Sequence, residues 1–215
     1  MKRRDIVLTG GKLTSTGVLL LPENQKEIGV VLGHGAGGNM HAPFLRYFHE
    51  AIAETGYPCL KFNFFYSEAR RKVPDNRKVL ISCYEEAMNA MPCKRIVIGG
   101  KSMGGRIASY LGAGEGVSGL LFLGYPLHPP GKLDQLRDEH LFSIRKPMLF
   151  VSGTKDPFAR FDLLESTIGK IGDYATPYYV PDGGHSFEVP KKSGKSEAIV
   201  LSSVRDAILE WLEHL

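Results

Sequence analysis

The chain has 215 residues, 43% of them hydrophobic and 23% charged, a balance that fits a folded domain and excludes disordered, fibrous and collagen-like classes. The net charge of +4 is modest for a nucleic-acid binder, and no recognisable nucleic-acid module accompanies it. No run approaches the roughly 18 apolar residues of a membrane helix, and the apolar run Ile6–Leu8 is too short for a signal-peptide core.

In chain order, residues 17–21 and 28–32 read as strands. Phe44, Leu45, Phe48 and Ile52 form a helical stripe within 44–55, ended by Gly56. The next strand spans 58–64, and a helix of about 75–90 follows between Pro74 and Pro92. Strand 95–99 leads into a helix at 103–112, and 119–123 is again a strand. Strand 147–152, helix 159–170, short strand 176–180 and helix 196–214 complete the chain. The last helix carries Leu201, Val204, Ile208 and Trp211 on one face. Continuous apolar strands alternating with helices predict a mostly parallel sheet covered on both sides, an α/β fold. Only residues 124–147, rich in proline, read as an insertion. In such a sheet the ligand site lies beyond the carboxyl ends of the strands.

Three glycine motifs follow strands. Gly33 to Gly38, GHGAGG, fits a dinucleotide fingerprint, but the next strand ends at Asn63, Phe64 and Phe65 with no acidic residue to hold a ribose. Gly99 to Ser102, GGKS, lacks the upstream glycine of a phosphate loop, because that position is Arg95 at the start of a strand. Gly100-Lys101-Ser102-Met103-Gly104 fits G-x-S-x-G, with a strand before it and a helix after it. A serine on that sharp turn becomes a nucleophile only with a base, and the base needs an orienting carboxylate. Asp156 and His185 each follow a later strand on the same sheet edge. The order Ser102, Asp156, His185 therefore makes a candidate catalytic triad. The backbone N–H groups of Met103 and Ala36 are the candidate oxyanion-hole donors. Rivals for the acid are Asp162, placed in a helix, and Asp182, placed in a turn close to His185. Rivals for the base are His49, His214 and His34.

These motifs resemble those of α/β-hydrolases, in particular the small lidless bacterial hydrolases related to dienelactone hydrolase, and the resemblance runs from residue 17 to 214. It implies the α/β-hydrolase fold with about eight strands, the second antiparallel, and minimal or no lid. Residues 5–9 and 17–21 would be the first two strands, joined by a turn at Gly10-Gly11. Ser102 stands where dienelactone hydrolase has a cysteine, so that enzyme's lactone substrate does not carry over.

The expected activity is hydrolysis of a small carboxylic ester or thioester through a covalent acyl-enzyme, with no cofactor. A non-catalytic interaction protein on the same scaffold is a second reading. A peptidase or carbon–carbon hydrolase would share the triad. His34, His41, Tyr125 and His128 are candidates for the substrate pocket; for His41 and His128 a solvated or helix-capping role is the alternative. Arg70, Arg71, Lys72, Lys191, Lys192 and Lys195 fall in two loops leaving the catalytic edge. They form either a rim that attracts anionic substrates or solvated polar loops. Cys83 and Cys93 show no metal-ligand spacing, and the odd number of cysteines argues against a secreted disulfide framework. The expectation is a cytoplasmic single-domain protein, residues 1–215, with no metal, nucleic-acid or membrane partner.

Overall fold

In the computed structural model, which describes residues 1–215, the apolar segments assemble into one eight-stranded sheet. The strands are β1 Lys2–Gly10, β2 Leu13–Leu21, β3 Ile28–Gly33, β4 Cys59–Phe62, β5 Arg95–Lys101, β6 Val117–Leu123, β7 Met148–Gly153 and β8 Ala175–Val180. Their order across the sheet is β1-β2-β4-β3-β5-β6-β7-β8. β1 pairs antiparallel with β2, and β2 antiparallel with β4; all other pairs are parallel. Every residue of β3, β4 and β7 is buried, as strands covered on both faces require.

The helices are α1 Pro43–Glu54, α2 Phe65–Glu68, α3 Arg77–Asn89, α4 Met103–Ser109, α5 Phe161–Ile171 and α6 Glu197–Glu213. They divide the core into two layers. On one face, Leu45, Phe48 and Ile52 of α1 pack with Val200, Val204, Ile208 and Trp211 of α6. On the other face lie Leu80 and Tyr84 of α3, Ile107 of α4, and Leu164 and Ile168 of α5. Successive β3 residues serve opposite layers, Val30 and Leu32 one and Val31 the other, which is the period-2 alternation of a strand.

The helix ends follow their local chemistry. Asn76 accepts the Val79 N–H at 3.2 Å and so starts α3 at Arg77 rather than at 75. Ser196 caps α6 in the same way through Ile199. β4 stops at Phe62 instead of running to 64, because Phe64 leaves the sheet to cap the short helix α2, whose Phe65 and Tyr66 are buried beside it.

The insertion, residues 124–147, forms only a short 3₁₀ turn, Glu139–Ser143. It is tied together internally and fastened to the body through His128. The Tyr125 hydroxyl donates to Arg137 O at 2.7 Å and the Arg137 N–H to Leu127 O at 2.8 Å. His128 N–H donates to Phe158 O at 3.0 Å, and the His128 ring accepts the Arg160 N–H at 2.9 Å.

Candidate active site

Ser102 sits between the end of β5 and the start of α4 at φ 51°, ψ −114°, a conformation that costs a non-glycine residue about 1–3 kcal/mol. The turn is held by close backbone contact. A Cβ added at Gly100, where φ is +137°, or at Gly104 would collide with the Gly33 carbonyl of β3. Only glycine lets the turn press against that strand. From behind, the buried Tyr84 hydroxyl accepts the Gly99 N–H at 2.8 Å, and the Ser102 N–H donates to Leu123 O of β6 at 3.0 Å.

Asp156 follows β7, and His185 lies in the loop after β8. The Asp156 side chain is fully buried, and its Oδ2 lies 2.8 Å from His185 Nδ1. A carboxylate only accepts, so Nδ1 carries the ring proton and Nε2 is left as an acceptor. Ser102 Oγ lies 2.8 Å from that Nε2 and donates to it. The second Asp156 oxygen accepts the Phe158 N–H at 2.8 Å. The three residues picked from sequence are thus brought into one hydrogen-bonded row. Of the rival acids, Asp162 is exposed and ion-paired to Arg160 at 2.7 Å, and Asp182 is an exposed turn residue at φ 56°. Of the rival bases, His49 is buried with Nε2 3.0 Å from the Val18 and Cys59 carbonyls, and His214 ends α6.

Ala36 and Met103 line a cavity of about 270 Å³ with Ser102, Pro126, Phe158 and Leu80. The Ala36 N–H donates to no backbone or side-chain acceptor. Met103, first in α4, has an N–H with no intrahelical acceptor. The loop carrying Ala36 is fixed from three sides. Asn63 accepts the Met40 N–H at 2.8 Å, the Ser67 hydroxyl donates to Gly38 O at 2.9 Å, and His34 bridges to Phe64.

The expected pocket residues are placed differently. His34 is buried; its Nδ1 donates to Gly35 O at 2.8 Å and its Nε2 accepts the Phe64 N–H at 3.2 Å. Burial holds this ring neutral, its pKa lowered to about 4. His128 is buried with its Nδ1 on Pro129 O and its Nε2 on the Arg160 N–H, and Tyr125 is a core residue. His41 is exposed and lines a groove beside Lys61 and Arg3. None of the four faces the cavity at Ser102. The six basic loop residues do not line it either. Arg71 is ion-paired to Asp75 at 2.6 Å, and Lys191 and Lys192 sit on an exposed turn. The cations that do line it are Arg77, Arg106 and Arg137.

Sequence reasoning also passed over Lys101, although it occupies the first variable position of the G-x-S-x-G motif. Its ammonium donates to the His185 carbonyl at 2.8 Å and lies 5.7 Å from the Phe44 ring centroid. Burial pulls its pKa down to about 8, against the opposing pull of Asp156 and Glu188. A larger groove, about 340 Å³, lies at the amino ends of β7 and β8 between Leu149, Thr176 and Trp211, far from this row of residues.

A strand-to-helix turn with a serine at positive φ, on a sheet of this topology, is the architecture of the α/β-hydrolase class. A family model described as an alpha/beta hydrolase domain matches residues 26–213, and the chain belongs to that family. Solved structures agree on the fold. An alpha-beta serine hydrolase homologue from Coxiella burnetii superposes with a TM-score of 0.77 at 18% identity, over 99% of this chain and 98% of that one. A dienelactone hydrolase from Anabaena variabilis gives 0.77 at 21% identity, over 99% and 97%. A lidless α/β serine hydrolase from Xanthomonas campestris gives 0.74 at 18% identity, over 100% and 95%. No helix of the chain is long and apolar enough to cross a membrane.

Proposed function

We propose that residues 1–215 act as one catalytic domain, a serine hydrolase that cleaves a small carboxylic ester or thioester through a covalent acyl-enzyme. The observation that carries this reading is the unbroken Asp156–His185–Ser102 row, with both links at 2.8 Å, ending at a cavity bounded by Ala36 and Met103. Ser102 Oγ attacks the carbonyl carbon while His185 Nε2 takes its proton. Asp156 holds the imidazole tautomer and stabilises the imidazolium. The N–H groups of Ala36 and Met103 receive the oxyanion, each such donor being worth about 3–4 kcal/mol in the transition state. As the tetrahedral species collapses, the carbon–oxygen or carbon–sulfur bond breaks, and His185 returns the proton to the leaving group. Water then repeats the cycle on the acyl-serine. The narrow cavity suits short acyl groups. The thiols of Cys59, Cys83 and Cys93 are unpaired, which fits a reducing compartment, and we place this work in the cytoplasm.

The test is labelling with a fluorophosphonate probe. Wild-type protein takes the label at Ser102, and Ser102→Ala takes none while keeping its circular-dichroism spectrum. A folded wild type that resists labelling and turns over no ester would instead support a non-catalytic scaffold.

A further inference from the structure

The cavity beside Ser102 carries a surplus of positive charge. Arg77 from α3, Arg106 from α4 and Arg137 from the insertion all line it, against one carboxylate, Asp75. Asp75 Oδ1 accepts from Arg71 at 2.6 Å, while its Oδ2 is buried without a hydrogen-bond partner, so one carboxylate stands against three guanidinium groups. Asp138, which also acts on His140, is buried and accepts from Thr167 at 2.9 Å. The arginines are only partly engaged. Arg77 lies over the Tyr110 ring, 5.0 Å from its centroid, and Arg137 donates to Pro126 O at 3.3 Å. The Arg106 Nε is buried with no hydrogen-bond partner. Guanidinium groups gathered in a half-enclosed space repel one another unless an anion joins them. Their field reaches the neighbouring groups: burial first, then Arg106 and Arg77, lower the His140 pKa to about 4, and burial followed by Arg106 lowers that of Arg137.

The geometry relates this charge to the nucleophile. Ser102 and Arg106 line the same cavity, and the backbone amide of Arg106 donates to the Ser102 carbonyl at 3.0 Å, which sets the two residues one turn apart at the start of α4. A ligand with its carbonyl at Ser102 and an anionic group a few bonds away would meet the guanidinium. The cavity of about 270 Å³ lies at the lower end of the roughly 300–1,000 Å³ range of small-molecule pockets, which favours a short ligand such as a dicarboxylic half-ester. Arginine's planar fork suits a carboxylate, which it can bind through two parallel hydrogen bonds.

We infer that Arg106, Arg137 and Arg77 form an anion subsite, and that the substrate is a short ester bearing a free carboxylate. This inference rests on the ester-hydrolase reading for the identity of the bound molecule, but it is tested by binding alone. In the Ser102→Ala background, which cannot form an acyl-enzyme, monomethyl glutarate and dimethyl glutarate are titrated by calorimetry. The expected result is at least tenfold tighter binding of the monoester at low salt, with the advantage shrinking as salt rises. Arg106→Gln and Arg137→Gln should each reduce that advantage severalfold. In protein with Ser102 intact, the ratio of kcat/KM for a carboxylate-bearing aryl ester over its neutral isostere should fall with the same substitutions. Equal binding of the two glutarates, no binding of either, or a preference untouched by both arginine changes would overturn the subsite. A phosphate-bearing ester that binds better than the carboxylate would overturn the choice of anion. Failure of fluorophosphonate labelling would sink the esterase reading and leave this binding result standing on its own.

Discussion

Replacing Asp156 with asparagine changes one atom and should nearly abolish turnover. Both carboxylate oxygens of Asp156 accept a hydrogen bond, one from His185 Nδ1 and one from the Phe158 N–H, each at 2.8 Å. An amide has a single acceptor oxygen. If that oxygen keeps Phe158, the amide NH₂ faces His185 Nδ1, which must then accept. The ring proton moves to Nε2, 2.8 Å from Ser102 Oγ, where it blocks abstraction of the serine proton. If the amide turns the other way, its NH₂ opposes the Phe158 N–H, two donors face to face, at a cost of about 1–3 kcal/mol for the unpaired group. The first arrangement is favoured, and it holds the wrong tautomer. In a comparable triad that change lowers kcat about 10⁴-fold, equivalent to about 5.5 kcal/mol of barrier. The assay is steady-state hydrolysis of p-nitrophenyl acetate by Asp156→Asn and Asp182→Asn, with near-ultraviolet circular dichroism to confirm the fold. Asp182→Asn should stay within about twofold of wild type, because its side chain is exposed and off the row. A loss smaller than tenfold in folded Asp156→Asn, or a larger loss in Asp182→Asn, would refute the reasoning.

The strain at Ser102 gives a stability prediction. Ser102→Ala keeps a Cβ at φ 51° whereas Ser102→Gly does not, so the glycine variant should be more stable by about 1 kcal/mol after its extra unfolded-chain entropy. For a chain of this size that is about 2–4 °C in Tm, and equal melting of the two variants would contradict it. Lys101 gives a pH prediction. Its folded pKa of about 8 lies below the ordinary 10.5, so between those pH values the unfolded chain binds the extra proton and stability rises with pH. At 1.36 kcal/mol per unit, wild type should gain about 3 kcal/mol relative to Lys101→Met between pH 7.5 and 10.5 in denaturant titrations. An unchanged difference between the two proteins would show that the ammonium is not desolvated.

The strand-to-helix turn at Ser102 was legible in sequence because its signals are local: the strand RIVIG, two glycines flanking a serine, and a helix directly after. The alternation of buried strands with amphipathic helices likewise carried the α/β class. β4 was read to 64 because Phe64 is as apolar as the strand before it, and only the packed structure shows it leaving the sheet to cap α2. The pocket histidines misled for a related reason. A histidine in a loop at a sheet edge can face a ligand or tie two loops together, and the partners that decide it are distant in sequence. For His34 that partner is the Phe64 N–H, and for His128 it is the Arg160 N–H. The cavity arginines lie on three separate elements at 77, 106 and 137, with no spacing to relate them, whereas the clustered basic loops drew attention and stand clear of the cavity.

The fastening of residues 124–147 determines how this site meets its ligand. Pro126 and Arg137 on the cavity wall belong to a segment that Tyr125 and Leu127 tie to Arg137 and that His128 ties to the body. A wall already in place loses no loop entropy when a molecule enters, so that part of the usual cost of association is absent. On the proposed function, discrimination would come from what the opening refuses rather than from a closure that the right molecule triggers. Selectivity should therefore respond to side-chain size at the rim, and new specificities are reachable through single substitutions at Pro126 or Phe158 without retuning the motion of a lid.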